Sequence, residues 1–440
     1  MPRLAYIETF GCQMNAVDSA RMLSLLASAD YRPARSAAEA DLVLLNTCSI
    51  REKAEAKVYS ELGRLRRWKG EREGRLLAVG GCLAQQEGEA IRSRAPHVDI
   101  VFGTHNIARL AELVRDARDR RAAVAVDLSG DTAHWDTLPY IPDGAVSAMV
   151  TVMQGCDNFC AYCVVPYVRG PEISRPAADI LRDVRALADR GVREVVLLGQ
   201  NVNSYGRKEG EIAFPELLRR VARVPGIARV RFITSHPRDL DDGTIGLFSE
   251  IEAVCPHIHL PLQSGSDRVL AAMRRGYSRA EYLARVAALR RARPGIAFSS
   301  DFIVGFPGET EDDFRDTLAV MEEIRYDSSF SFRFSPRAGT RAATMGGAVA
   351  AEVSGDRLRR LQQLQDRHTR ERLRAFAGAE TVVLVEGRSL RDPSRLAGRT
   401  PCYKTVNFTP APGGSDPFRR VTVRTVGSHS LSGEEGGIDG

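Results

Sequence analysis

AMVTVMQGCDNFCAYC, residues 148–163, runs from an apolar strand directly into three cysteines, Cys156, Cys160 and Cys163. The spacing C-x-x-x-C-x-x-C decides how the rest of the chain is read. The N-terminus, MPRLAYIETFGC, has neither the apolar stretch nor the small-residue cleavage site of an export signal. A reducing compartment is therefore expected, with free thiols rather than disulfides. Zinc sites come as two separated C-x-x-C pairs or mix in histidines at fixed offsets, and neither pattern is completed. Bacterial ferredoxins string C-x-x-C-x-x-C with a fourth cysteine, whereas here the first gap differs and no fourth follows nearby. Three thiolates suit a [4Fe-4S] cluster whose fourth iron keeps an open site, the mark of a metal that does chemistry. Three unrelated buried thiols are the alternative, and they leave the spacing without a cause.

A chain of 440 residues has room for about three domains. No apolar run reaches the 18 residues of a membrane span, so a cytoplasmic protein with no membrane partner is expected. The net charge of +6 is unevenly placed, because residues 357–440 alone hold 15 Lys/Arg against nine Asp/Glu. That asymmetry points to nucleic acid, and a solvated Arg-rich surface helix accounts for part of it equally well.

Residues 1–126 alternate short apolar runs with helical patterns: LAYIET, DLVLLNTCS, RLLAVGGC and VDIVFG, separated by stretches such as DSARMLSLLASA and REKAEAKVYSELGRLRR. Strand, helix, strand, helix over this length predicts an open parallel α/β sheet. Cys12, Cys48 and Cys82 each fall just after a predicted strand and just before a helix. In a parallel sheet those turns share the carboxyl edge, where ligands bind. The three thiols can therefore converge and offer a second three-thiolate site. Independent buried cysteines are the alternative. Residues 127–145, polar and dotted with proline, read as a linker, with His134 and Trp135 packed against a domain.

Residues 146–377 carry six strand–helix units, from AMVTVM through EVVLLGQNV, RVRFITS, HIHLPLQS and FSSDFIVGF to SSFSFRFSP. Repeated parallel units predict a partial (β/α)6 barrel with its chemistry at the carboxyl ends of the strands. The cysteine motif lies at that end, as do the polar turns LGQN, TSHP, QSGS and VGFPGE. His236 reads either as catalytic or as a turn residue satisfying backbone, and Cys255, ahead of a strand, as a core thiol. An Arg-rich helix with Leu358, Leu361 and Leu364 in a packing stripe follows from Arg357. In residues 378–440, TVVLVEG, CYKTVNF and RRVTVRTV predict a small β-barrel, a fold that often binds oligonucleotides, or else a structural cap. Cys402 stands alone there, and the final GEEGGIDG reads as disordered.

On these residues the chain, over nearly its whole length, resembles the methylthiotransferases of the radical S-adenosylmethionine (SAM) superfamily. GCDNFCAYCVVPYVRG followed by SRP resembles the family's cluster motif, and GCQMN, NTCSIREKA and VGGC its three N-terminal cysteine motifs. LGQNVN, TSHP, HLPLQSGSDRVL and SSDFIVGFPGET are similar to its barrel turns, and the last segment to its TRAM domain. NTCSIREKA with HLPLQSGSDRVL is most similar to the tRNA branch rather than to the ribosomal-protein branch. Ala338 and Arg341 stand where the family usually has prolines.

The resemblance implies two [4Fe-4S] clusters and SAM as cofactors. Cys156, Cys160 and Cys163 would hold the cluster that cleaves SAM to a 5′-deoxyadenosyl radical, and Cys12, Cys48 and Cys82 an auxiliary cluster carrying the sulfur to be inserted. Tyr162, Gln200 and Asn201, flanking the cysteine turn and the next strand's end, are the candidates for SAM binding. The implied reaction adds a methylthio group to carbon 2 of an isopentenyl-modified adenosine beside the tRNA anticodon. The implied partners are tRNA and a reducing electron donor, with the enzyme a monomer. Threonylcarbamoyl-adenosine or a ribosomal protein as the substrate remains open, as does a non-catalytic iron–sulfur RNA sensor.

Overall fold

Apolar runs of four to six residues that end in glycine or cysteine build the N-terminal layer. The computed structural model describes residues 2–49, 52–119, 122–128, 130, 132–208 and 210–436. Among them, β1 (Arg3–Thr9), β2 (Tyr31–Pro33), β3 (Leu42–Thr47), β4 (Leu76–Gly81), β5 (Ile100–Phe102) and β6 (Ala123–Ala125) form one parallel sheet in the order β2-β1-β3-β4-β5-β6. β3 and β4 are buried over their whole length, as a strand covered on both faces must be. The crossovers are α1 (Gln13–Ala27), α2 (Glu52–Gly70), α3 (Cys82–Glu87), α4 (Glu89–Arg94) and α5 (Leu110–Arg118). Two apolar clusters, one on each face of the sheet, make the core of this open α/β layer. β2 and β6 are too short for apolar periodicity to mark them.

Six further parallel strands make the expected partial barrel: β7 (Ser147–Thr151), β10 (Glu194–Leu198), β11 (Arg229–Ile233), β12 (His257–His259), β13 (Ala297–Val304) and β14 (Ser328–Arg333). A short antiparallel ribbon, β8 (Met153–Gln154) with β9 (Ile173–Ser174), follows β7 and brackets α6 (Val165–Arg169). The outer helices are α7 (Ala177–Asp189), α8 (Phe214–Ala222), α9 (Asp242–Glu250), α10 (Asp267–Ala272), α11 (Arg279–Ala292) and α12 (Glu311–Ile324). The ladder is continuous within β7–β10–β11 and within β12–β13–β14, and the two halves meet through the bridge Val230–Val254. One large apolar cluster fills the space between strands and helices.

The long helix α13 (Ala351–Arg374) starts six residues ahead of the point its arginine run suggests, and its stripe residue Leu361 is fully buried. The last segment closes as a barrel of β15 (Glu380–Arg388), β16 (Leu396–Arg399), β17 (Thr405–Thr409), β18 (Phe418–Val426) and β19 (Leu431–Glu435). The expectation of disorder over residues 433–440 is corrected for its first part. Gly433 pairs with Phe408 and Val423, and a Cβ there would stand 2.3 Å from the Thr422 carbonyl oxygen. A glycine that looks like a breaker therefore lets the closing strand approach its neighbour. Residues 437–440 lie outside the described residues.

Candidate active site

The N-terminal thiols are brought together by strand register. Thr9 lies opposite Asn46, and Asn46 and Thr47 lie opposite Gly80 and Gly81. Beyond these positions Cys12 caps α1, Cys48 follows β3 and Cys82 opens α3. The sheet order reverses between β1 and β3, so the trio sits at a topological switch point, where such sheets bind ligands. The turns touch one another. A Cβ on Gly11 would stand 2.3 Å from the Cys48 Cβ, and one on Gly81 would stand 2.4 Å from the Thr47 carbonyl oxygen. Both glycines have positive φ, +108° and +94°, a conformation suited to glycine. Asn15 Nδ2 donates to the carbonyls of Phe10 and Thr47, both at 2.9 Å, and Thr47 Oγ1 donates to that of Gly80 at 2.6 Å. Cys48 and Cys82 are buried and Cys12 half-buried. Burial pushes the Cys82 thiol up to about 12, opposed by the nearby Arg169 guanidinium and reinforced by Cys48 and Cys12.

The barrel trio occupies the loop between β8 and α6. Gly155 turns with φ +81°, and a Cβ there would meet the Pro171 carbonyl oxygen at 1.9 Å. Its N–H donates to Gln200 Oε1 at 2.5 Å. Further along, Ala161 N–H donates to the Met273 carbonyl at 2.9 Å, and Ala342 N–H donates to the Ala161 carbonyl at 2.7 Å. The turn that carries Ala338 and Arg341 is thus tied directly to the cysteine loop. Phe159, Thr234 and Gln263 have φ of +44°, +73° and +75°. Non-glycine residues in the left-handed region are strained, and these three of the described residues with positive φ lie at the loop end of the barrel, where strain accompanies function. Burial pushes the thiols of Cys156 and Cys163 up to about 11 and about 12. The buried Arg275 places Nη1 3.4 Å from the Cys160 sulfur and donates from Nη2 to the Pro261 carbonyl at 2.8 Å.

Helix α6, which starts two residues after Cys163, joins the two trios. Its Val168 and the adjacent Val164 pack on Cys82. Thr104 Oγ1 donates to the Val168 carbonyl at 2.6 Å, and His105 Nε2 donates to that of Arg169 at 2.9 Å. Arg169 Nη2 reaches back to α1, 2.9 Å from Asn15 Oδ1 and 2.8 Å from Asp18 Oδ2. Beside this contact Met14, Val17 and Cys12 pack against Met149, Val196, Leu198 and Ile233 at the mouth of the barrel. One helix therefore forms a wall of both thiol sites.

Among the described residues no three His, Cys, Asp or Glu side chains close on one point as a single metal ion requires. A four-iron cluster asks for something different, since each thiolate bonds its own iron and the sulfurs stand apart around the cluster. Three thiols on touching turns at the N-terminal site and three on one loop at the barrel site, each trio with a buried arginine beside it, fit that group.

Of the other residues singled out by sequence, Tyr162 lies half-buried against Phe306 and Val269, its hydroxyl held in the neutral form by burial. Asn201 spends its amide inside the barrel, donating to Asp239 Oδ2 at 2.7 Å and accepting from His236 N–H at 3.3 Å. His236 accepts from Arg238 N–H at 3.3 Å, and burial with the nearby Arg275 charge pushes it down to about 2, so the ring is neutral. His134 and Trp135 are buried in the segment between the domains, and Cys255 is buried in the central one. On α13, Arg357, Arg360 and Arg367 are paired with Glu309, Glu311 and Glu322, so much of the helix's charge is spent within the molecule. Arg169 and Arg275 are the functional candidates the sequence did not mark. Both lie in stretches where an arginine reads as surface charge, and only packing reveals their burial.

Residues 4–103 match the uncharacterized protein family UPF0004 and residues 150–321 the radical SAM superfamily. Among solved structures, the radical S-adenosylmethionine methyltransferase TsrM from Kitasatospora setae, with cobalamin and a [4Fe-4S] cluster bound, superposes with a TM-score of 0.57 at 16% identity, over 78% of this chain and 77% of its own. That likeness shows a shared fold. Fold and barrel site together define the class, a radical SAM enzyme, with SAM and [4Fe-4S] clusters as its cofactors. The tRNA-2-methylthio-N(6)-dimethylallyladenosine synthase of Geobacter metallireducens is 51% identical over 98% of both chains, and that of Syntrophus aciditrophicus 48% identical over 98% of this chain and 94% of its own. The chain belongs to this family, the MiaB synthases.

Proposed function

We infer that the chain is a tRNA methylthiotransferase that places a methylthio group on carbon 2 of an isopentenyl-modified adenosine beside the anticodon. The observation that carries this reading is the pair of thiol trios walled by one helix, α6, because joining sulfur to carbon needs a radical source and a sulfur source within reach of one base. The names of the relatives support the tRNA substrate. In this reading Cys156, Cys160 and Cys163 hold one [4Fe-4S] cluster and Cys12, Cys48 and Cys82 the other. When bound, the clusters and SAM supply the radical and the sulfur.

The chain's own residues orient and exclude. Gln200 props the cysteine loop at Gly155, and Asn201 fixes the next strand's end through Asp239, so both shape the SAM pocket beside Tyr162. The apolar seal of Met14 and Val17 on Val196 and Leu198 keeps water from a radical. Phe159 and Tyr167, both exposed and edge-to-face at 6.0 Å, stand at the rim of the cysteine loop, where an unstacked loop base can lie on them. Among the described residues no helix is long and apolar enough to cross a membrane. The enzyme acts in the cytoplasm as a monomer and takes electrons from a separate donor.

The deciding experiment is mass spectrometry of nucleosides from the tRNA of a deletion strain, with and without the gene restored. Isopentenyl-adenosine should accumulate in the deletion and its methylthio form return on restoration. Loss of methylthio-threonylcarbamoyl-adenosine, or unchanged tRNA with an altered ribosomal protein, would overturn the substrate. Reconstituted, reduced protein that released no 5′-deoxyadenosine from SAM would overturn catalysis itself.

A further inference from the structure

Each thiol trio has one buried arginine beside it, and the two are not equivalent. Arg275 spends its three donor nitrogens, Nη1 on the Cys160 sulfur, Nη2 on the Pro261 carbonyl and Nε on the Tyr277 hydroxyl at 3.0 Å. Arg169 spends Nη2 on Asn15 and Asp18, while its Nη1, fully buried, has no hydrogen-bond acceptor among the described residues. The guanidinium lies beside Cys82 and Cys12, and the Asp18 carboxylate opposite it is also buried. Leaving a buried N–H without an acceptor is unfavourable, because the group has lost its water and gained nothing in exchange. The atoms it can serve are the sulfurs of the trio.

We propose that Arg169 is the electrostatic partner of the Cys12/Cys48/Cys82 site, its free Nη1–H donating to the sulfur held there and its charge, trimmed by Asp18, raising the reduction potential of that site. The proposal rests on the cluster reading given above. Hydrogen bonds and fixed charge at the sulfurs are the levers by which a protein sets the potential of an iron–sulfur group. Forming a carbon–sulfur bond from a one-electron carbon centre and a two-electron sulfur donor leaves one electron over, and a cation beside the sulfur site makes that electron easier to hold. Arg169 reaches this position because α6 follows the barrel's own cysteine motif, so the radical-forming loop delivers the residue that tunes the sulfur site.

A purely structural arginine, one that only pins α6 to α1, makes a different prediction, and potential separates the two. The test uses full-length protein with Cys156, Cys160 and Cys163 changed to alanine, so that one site titrates, followed by electron paramagnetic resonance in a redox titration. Arg169→Gln should shift the midpoint to more negative potential. Asp18→Asn, which leaves the arginine uncompensated, should shift it to more positive potential, and Arg169→Lys should stay nearer the parent than Arg169→Gln. Unmoved midpoints in the glutamine and asparagine variants, or shifts of the same sign, overturn the proposal. If Arg169→Gln fails to hold iron, Asp18→Asn and Arg169→Lys decide by the same signs. If the triple-alanine parent itself holds no iron, the cluster reading of the trio falls and the proposal with it.

Discussion

Three glycines show how strictly single residues control the two sites. Gly11 and Gly155 combine positive φ with a neighbour closer than any Cβ can tolerate, and Gly81 does the same between the second and third N-terminal turns. Each is therefore a selective handle on one trio. Gly11→Ala should cost one cluster and spare the other, matching Cys12→Ala, and Gly155→Ala should do the reverse, matching Cys156→Ala. Iron and sulfide quantification after reconstitution checks this: each variant is expected to keep about half the parent's iron if both sites take the same cluster type. Retention of both clusters in Gly11→Ala would show that the turns can part without loss of the site.

Element by element, buried ion pairs and helix caps hold the loop end of the barrel in shape. Arg175, at the end of the β8–β9 ribbon, donates to Asp183 of α7 at 2.6 Å and to the carbonyls of Trp135 at 2.9 Å and Thr151 at 3.4 Å. One side chain thereby fixes the segment between domains, the end of β7 and the first outer helix. Asp183→Ala strands that charge in the interior and should cost about 3–5 kcal/mol in chemical denaturation of cluster-free protein. A milder expectation attaches to α12, whose capping box joins Thr310 and Asp313. Asp313 also accepts from Ser266 Oγ at 2.6 Å, so this helix start is tied to the start of α10. Removing the hydroxyl in Thr310→Ala should lower stability by about 1 kcal/mol in the same assay.

At the scale of the molecule, the small barrel plugs the amino-terminal end of the central strands, opposite the cysteine loop. Arg229 donates to the carbonyls of Arg399 and Val382 at 2.8 and 2.9 Å, and Arg231 to those of Pro401 and Thr400 at 2.7 and 2.9 Å. Tyr403 stacks on His257 at 5.0 Å, and Lys404 pairs with Asp327 at 2.5 Å. Burial, with Arg231, His259 and Lys404 nearby, holds His257 well below its ordinary pKa of 6.5. Below that value the unfolded chain binds a proton that the folded chain refuses, so stability is full above about pH 6.5 and falls as pH drops. Acidification from pH 7 to pH 5 should therefore lower the melting temperature of cluster-free protein, and His257→Gln should reduce that slope. His236, also held neutral by burial, supplies a residual slope in the same window. If the small barrel grips tRNA phosphates, as the proposed function implies, the contacts are expected at its exposed arginines, among them Arg391, Arg420 and Arg424, the last two held only in solvent-exposed pairs with Glu380 and Glu434 that a phosphate can replace. Affinity for tRNA should drop steeply with salt, and the double variant Arg420→Ala with Arg424→Ala should flatten the slope by about two contacts in a filter-binding titration.

The sequence by itself determined the strand-helix alternation, the barrel and its functional end, and the six thiols placed after strands, because periodicity and the residue types at turns are local properties. It marked the long strands and missed β2, β6, β9, β16 and β19, whose few residues or interrupting glycines leave no period to read. It also read the GEE of the last segment as loose chain, where barrel closure makes it a strand. Only the tertiary structure decided that β1 and β3 flank the switch point, and that Asn201 turns inward while Gln200 props a loop. It alone placed Arg169, six residues beyond Cys163, beside the other trio. A side chain's charge is written in the sequence, but its burial and its partners depend on residues more than a hundred positions away, and packing chooses them.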